Sequence, residues 1–364
     1  MHLSSVATKL RDFILISSLA TGLAAGQPAL ATELQKAGVA ASTRNEVQVL
    51  SGSATGALRS GDSIHQHDRV FTGKTGSAEL MLLDQTDLKI APGSDVGIDR
   101  FSDKGGLSEG AVSIGVVKGS LRFATGAQDP RNYEIKTAVA TITLRGTIVN
   151  IVATDTALAV VLADGKAIVV DKEGKTSTME ARGNIVLIGP DGTTVDQSGS
   201  LADAVAQLVQ SSTDPAATAA QILAATGAAG GNVTAQNLKD IAAGIARGGV
   251  GADDLSAAVS DYVQGAIDRS SAATDLVNGA RYLDDDLKIA TGKGLAVAAG
   301  EIGKTDPTTA AEIDGIVDGS GDPQMQDSYS RQKGEETGAL AGNDNGGDNL
   351  LQNQQSQQQQ QSPN

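Results

Sequence analysis

Residues 87–99 read DLKIAPGSDVGID and decide the fold class. Leu88 and Ile90 alternate with polar neighbours, and Val96 and Ile98 do the same after the turn signal Pro92-Gly93. Apolar residues at every second position are typical of a β-strand with one buried face. The stretch therefore predicts two short strands joined by a tight turn, with no helix between them.

The same pattern extends in both directions, over residues 46–195. Runs of alternating polarity recur every 8 to 12 residues, separated by turn signals such as Asp164-Gly165 and Asp191-Gly192. Because no helical pattern lies between the runs, a βαβ architecture is excluded, and a sandwich, a barrel or a β-solenoid remains. Short strands and glycine-rich turns favour stacked solenoid rungs, so we expect a mainly β domain of this kind.

Residues 200–318 have a different pattern, rich in Ala and Gly with helical apolar spacing. Asp214-Pro215 and Asp306-Pro307 are start signals, an N-cap followed by proline in the first turn, and Thr234 and Asp253 are further candidate caps. The segments beginning at Asp214 and Asp306 look alike. Either a helical hairpin is duplicated or, as we favour, alanine-rich segments have converged on the same cap.

The two ends of this helical segment carry further predictions. We expect residues 201–210 to cover the C-terminal edge of the β-domain, since an open edge invites pairing with other chains. Residues 320–364 lack apolar periodicity and end in a Gln/Asn-rich run. Such a composition buries too little surface to offset the entropy of ordering, so we predict a disordered tail.

Residues 1–31 read as an export signal. Lys9 and Arg11 precede the apolar stretch 13–25, and Ala29-Leu30-Ala31 is a small-residue cleavage site. The stretch is shorter than the roughly 20 residues of a spanning helix. We therefore predict cleavage near Ala31, a periplasmic or secreted protein, and no transmembrane helix in the mature chain.

Composition excludes several classes of function. The 364-residue chain has a net charge of −15 and no basic stripe, which argues against nucleic-acid binding. It has no cysteine, which removes disulfides, thiolate metal sites and cysteine nucleophiles, and three histidines leave little room for His-based catalysis. Aromatic residues make up 2% of the chain, too few for stacking clefts. We therefore predict a protein that is not an enzyme.

Three motifs are candidates for metal binding, and we assign none of them. His65 and His67 with Asp68 could hold a weak surface metal, but a polar connection between strands is the favoured interpretation. Asn343–Asp348 is similar to one turn of a calcium-binding β-roll, yet it occurs once. Asp284–Asp286 lacks the glycine and the distal glutamate of an EF-hand and fits a helix cap. No catalytic, cofactor-binding or metal residues are predicted.

The β-region resembles the FecR domain of bacterial envelope proteins over residues 46–195. Its order of short motifs carries the resemblance: Gly61-Asp62-Ser63-Ile64, Val70-Phe71-Thr72-Gly73, Gly76–Leu80, Leu88–Ser94, Val96–Asp99, Gly119–Phe123, Tyr133–Thr137, Arg145-Gly146-Thr147 and Leu162–Gly165. The chain departs from the family at Asp84-Gln85, where Asp-Gly is common, at Thr137-Ala138 and at Ile148.

The resemblance implies a β-solenoid form, structural roles for the motif residues, and no catalytic groups. We expect a non-enzymatic exported protein that binds, scaffolds or senses signals through envelope proteins. Two alternatives stay open: an extracellular structural or adhesive protein that associates with itself or with surface polysaccharide, and a polysaccharide-cleaving enzyme on a sheet face. The β-domain holds only Phe71, Phe101, Phe123 and Tyr133 as aromatics, which disfavours the second.

Overall fold

A computed structural model describes residues 35–102, 112–126, 133–195 and 201–342. Residues from Gln35 onward form a unit of their own, in which 15 strands precede eight α-helices. The strands are β1 Lys36–Arg44, β2 Val47–Ser51, β3 Ala54–Ala57, β4 Ser63–His65, β5 Arg69–Thr72, β6 Ser77–Leu82, β7 Asp87–Ile90, β8 Asp95–Phe101, β9 Val112–Ala124, β10 Tyr133–Thr137, β11 Ala140–Ala153, β12 Leu158–Asp171, β13 Thr176–Met179, β14 Ile185–Ile188 and β15 Thr194–Val195.

The helices follow the last strand without a further strand between them in the described residues. They are α1 Leu201–Ser211, α2 Pro215–Gly227, α3 Ala235–Arg247, α4 Ala252–Gly265, α5 Arg269–Gly279, α6 Asp285–Gly303, α7 Pro307–Asp318 and α8 Pro323–Gly342. Strand accounts for 35% and helix for 40% of the described residues, so the protein is sheet-rich rather than mainly β. The first strand begins ten residues before the predicted β-domain boundary.

The 15 strands form one open sheet that contributes two halves to a single core. In the first half the neighbours run β3, β2, β5, β8, β9, β10, β11, β12 and β13; in the second they run β4, β1, β6, β7, β9, β11, β12, β14 and β15. The inward side chains of both halves belong to one apolar cluster, which includes Ile98, Ile114, Leu80, Phe123 and Val160. We call the first the open half and the second the covered half.

Three long strands, β9, β11 and β12, pass from one half to the other. Each changes partners at a glycine with positive φ: Gly119 at 96°, Gly146 at 58° and Gly165 at 80°. A Cβ on Gly165 would overlap Gly146 O, and one on Gly119 would overlap Ser94. Both positions therefore require glycine on two grounds, backbone conformation and space.

The solenoid form predicted for the sheet is not confirmed. Every described strand pairing is antiparallel except that between β9 and β10, and β9, β11 and β12 have 13, 14 and 14 residues. The sequence pattern predicts short strands here, because each long strand contains a glycine bend that has the same sequence signature as a turn. Gln85 is a related case, since it adopts φ 70° where the family often carries glycine.

The helices pack on one part of the covered half, the outer face of β9, β11, β12 and β14. Ala159 and Val161 of β12, with Ile185 and Leu187 of β14, join one apolar cluster with α1 and α2. Helix α1 thus lies against the face of β14, whereas the sequence predicted that residues 201–210 would cover an edge. Polar contacts fix the same junction: Gln221 Nε2 donates to Pro92 O at 2.9 Å and Asn150 Nδ2 donates to Ala225 O at 3.3 Å.

Several helices begin directly after an N-cap residue whose side chain accepts a backbone hydrogen bond. Asp214, Thr234, Asp284 and Asp306 each accept a hydrogen bond from a backbone N–H in the first turn of α2, α3, α6 and α7. Helix α4 begins instead after Gly251, with Asp253 inside its first turn, where a carboxylate still complements the helix dipole.

Helix α8 occupies residues for which the sequence predicted disorder. Met325 and Tyr329 are buried in the helical core, and Asp322 just before the helix pairs with Lys288 of α6 at 2.9 Å. Two anchors separated by one turn suffice to dock a polar helix, and such sparse spacing escapes a search for apolar periodicity. The residues after Gly342 lie outside the described part of the chain.

Candidate functional site

The histidine motif folds as a connection between β4 and β5. Asp68 is buried, and its Oδ2 accepts the backbone N–H of His65 at 2.7 Å and lies 3.4 Å from His65 Nδ1. His67 has φ 70° and its ring approaches Gln66. Among the described residues, no three His, Asp or Glu side chains gather in a way that could hold a metal ion. The motif closes a turn.

The other two candidate motifs give no site either. Asp284 caps α6, with Asp285 and Asp286 in its first turn. Residues 343–348 lie outside the described part of the chain. Three of the four aromatic side chains of the described sheet, Phe101, Phe123 and Tyr133, are buried, and Phe123 meets Tyr133 edge-on with ring centroids 6.1 Å apart. The fourth, Phe71, is half-buried with the Arg69 guanidinium 5.2 Å from its ring.

The helix-covered junction contains a half-buried acid, Asp275. Burial raises the pKa of Asp275 on α5 to about 7, while Arg122 of the covered half lowers it and Asp268 raises it. Burial also raises the pKa of the neighbouring Tyr262 on α4. Asp275 therefore titrates near neutrality on α5, close to Arg122 of the covered half.

A polar cavity of about 510 Å³ lies where β1 meets α5 and α7. Arg44 and Arg269 line it together with Asp268, Asp306 and Glu312. The acids are engaged, because Asp268 and Asp306 cap helices and Glu312 accepts a hydrogen bond from Ser270 at 2.5 Å. The charges of the lining residues nearly balance, so the cavity favours neither an anion nor a cation.

Among the described residues, no helix joins an apolar cluster with the outer face of β12 and β13 in the open half. Ile168 and Val170 of β12 are half-buried there, beside Thr143 and Thr141 of β11. Farther along the same half, Arg69 of β5 forms a two-pronged ion pair with Asp95 of β8, at 2.6 and 2.5 Å, and its guanidinium lies 5.2 Å from the Phe71 ring. This half presents a mixed polar and apolar sheet face.

The open half ends at β3, which is the most exposed strand of the described sheet. All four of its residues, Ala54–Ala57, are exposed, and the strand pairs with β2 on one side only. Leu58 N donates to Val47 O at 2.9 Å, which places the hydrogen-bonded pairs of this hairpin at Leu58, Gly56 and Ala54. Thr55 and Ala57 therefore direct their N–H and C=O groups away from β2.

A trough of about 490 Å³ adjoins this strand. Thr55, Gly56 and Ala57 line it on one side, and Thr43, Asn45 and Glu46, where β1 turns into β2, line it on another. The trough is formed largely by small and polar residues. Together with the outward backbone groups of β3, it can receive an extended chain and some of its side chains.

Sequence reasoning did not find this edge. The pattern 54–57 reads Ala-Thr-Gly-Ala and has neither apolar alternation nor a charged residue. The one available signal was the absence of charge and proline between Val47 and Leu58, since edge strands are commonly protected by such residues.

Solved structures offer limited comparison, and no curated protein matches the chain. Two crystal structures of a candidate anti-sigma factor from Parabacteroides distasonis match with 15% and 16% identity and TM-scores of 0.30 and 0.29. Each match covers 35% of this chain and 58% of the length of that protein.

The central part of the sheet matches the model of a protein family. The model described as FecR protein matches residues 68–167, which run from the residue before β5 to within β12. The matched region includes all three glycine bends and strands of both halves of the sheet. Over residues 68–167 the chain is therefore similar to the FecR protein family.

Proposed function

We propose that this chain is a non-enzymatic, signal-sensing protein of the bacterial envelope that acts by binding another protein. The FecR match supports a regulatory role. The N-terminal signal pattern supports export to the periplasm or the exterior, with cleavage near Ala31. Within the described residues, no helix is long and apolar enough to cross a membrane.

The observation that carries the proposal is the unequal covering of the two halves of the sheet. Helices bury the outer face of β11, β12 and β14 in the covered half, whereas the edge strand β3 and much of the outer face of the open half are accessible. An accessible sheet face and edge next to a firmly docked helical segment is a surface suited to protein contacts. The envelope proteins that would bind there are identified by the experiment below.

The test is photo-cross-linking of the exported full-length protein in cells. A photoreactive residue replaces Thr143 on the face of the open half, and a second version carries it at the exposed Asp253 of α4 as a control. We expect one envelope protein to be captured from position 143 and not from position 253. Capture of other copies of the chain alone, or of surface polymer, would contradict the proposal and favour the structural or adhesive alternative.

A further inference from the structure

We propose that β3 is a docking edge, at which an extended segment of the partner protein adds as a further strand to the open half. This inference rests on the proposed function and specifies how the partner is held. It concerns residues 54–57 and the trough beside them, a surface that the FecR match, which begins at residue 68, does not include.

The backbone of β3 supplies the hydrogen-bonding groups. The N–H and C=O groups of Thr55 and Ala57 point away from β2, and no described residue bonds to them. The spacing of two residues between them is the repeat of a strand ladder. Only another extended chain presents donors and acceptors at that repeat, so the geometry selects a peptide strand rather than a helix or a small ligand.

The other sheet edges are protected. Strand β4 has three residues and leads directly into the His65–Asp68 turn. Strand β15 has two buried residues, and Lys175 Nζ donates to Thr194 O at 2.8 Å. Charged residues flank β13, where Lys166 pairs with Glu180 at 3.1 Å. Such devices prevent edge pairing in natural sheets, and the stretch between Val47 and Leu58, which includes β3, contains no charged residue and no proline.

The occupant is a segment of a different protein rather than a second copy of β3. Two copies of a chain with a net charge of −15 repel each other, and the same charge attracts a basic segment. A pair of four-residue edges also buries far less than the roughly 1,200 Å² of a stable interface. A foreign segment gains additional contacts in the trough lined by Asn45, Glu46 and Gln48.

Proline at position 57 tests the hydrogen bonds. Ala57→Pro removes an outward N–H that β2 does not use, and proline is tolerated on edge strands in this orientation. Ala57→Ser keeps that N–H and is the matched control. The full-length protein carries a photoreactive residue at Thr55, the partner peptide attached to it is sequenced, and that peptide is synthesised as the probe for titration.

We expect the synthetic peptide to bind the wild-type and Ala57→Ser proteins alike and the Ala57→Pro protein about tenfold or more weakly. Bound peptide should slow amide exchange at Thr55 and Ala57, also by about tenfold or more. Amide exchange in the wild-type protein, with and without peptide, tests strand addition at β3 even if the proline variant does not fold.

The inference would be overturned by equal affinity for the proline variant, by unchanged exchange at Thr55 and Ala57, or by adducts that map to β3 of another copy. Capture from position 143 without capture from position 55 would also overturn it while leaving the proposed function intact. Absence of any captured envelope protein from both positions would contradict the proposed function itself.

Discussion

The two halves of the sheet share a core and three strands but differ in what covers their outer faces. On β12, Ala159 and Val161 face helices, whereas Ile168 and Val170, a few residues later on the same strand, face outward without a helix above them. The sequence reflects this, since 157–162 is a continuous apolar run and strands buried on both faces have that pattern. One strand thus serves a structural junction at one end and an accessible surface at the other.

Replacing a valine of β12 with aspartate should give the largest difference in stability between the two halves of the sheet. Val161→Asp places a charge in the helix-facing cluster, and we expect it to destabilise the protein by about 3–5 kcal/mol. Val170→Asp, on the outer face of the open half, should cost roughly 1 kcal/mol or less. Urea unfolding of both variants measures the difference. Equal losses would show that helices do not cover one half selectively.

The next largest loss of stability is expected at the glycine bends that connect the two halves. Gly165→Ala adds a Cβ at φ 80° against Gly146 O, and we expect a loss of about 2–4 kcal/mol. Gly174→Ala has a similar φ of 82° but open space around the added carbon, so it isolates the conformational part, about 1 kcal/mol. Thermal unfolding compares the two. A Gly165→Ala variant as stable as the Gly174→Ala variant would refute the close packing at the bend.

The half-buried acid makes the covered half sensitive to pH. Asp275 has a pKa of about 7 in the folded protein, above its unfolded value, so its contribution is most favourable below pH 4 and declines as pH rises toward 7. Asp275→Asn should remove this decline and stabilise the protein at pH 8 by about 2 kcal/mol, with little effect at pH 4. Urea midpoints at both pH values test it. A variant less stable than wild type at pH 8 would mean that the carboxylate has a favourable partner.

The smallest effect is expected at a surface ion pair beside the open half. Lys166 and Glu180 are paired at 3.1 Å with side chains 60% and 61% exposed. Glu180→Gln should change stability by about 0.5 kcal/mol or less, because water screens such pairs. A loss well above that, measured by thermal unfolding at low and high salt, would indicate that β13 is a buried edge.

Much of the fold follows from local patterns. Alternation at residues 87–99 predicted β7, β8 and the turn between them, and Asp-Pro signals predicted the starts of α2 and α7. The long strands were missed because glycines inside a bent strand and glycines in a turn are alike in sequence. Helix α8 was missed because two anchoring residues, Met325 and Tyr329, show no periodicity.

The candidate site could not be predicted from the sequence. An edge strand is defined by the neighbour that it lacks, and pairing depends on the whole topology rather than on residues 54–57. The histidine motif, in contrast, was conspicuous in the sequence and proved to form a turn held by Asp68. The histidines, which stand out in the sequence, form a local turn. The surface proposed to bind a partner consists of small residues that do not stand out.

Residue-resolved hydrogen exchange of the free, full-length protein would show whether β3 is an unpaired edge. We expect fast exchange at Thr55 and Ala57, slower exchange at Gly56, which bonds to β2, and the slowest exchange along the covered strands at Val160 and Val186. Protection of Thr55 and Ala57 in the isolated monomer would show that the edge is already paired. The open half would then offer no strand to a partner.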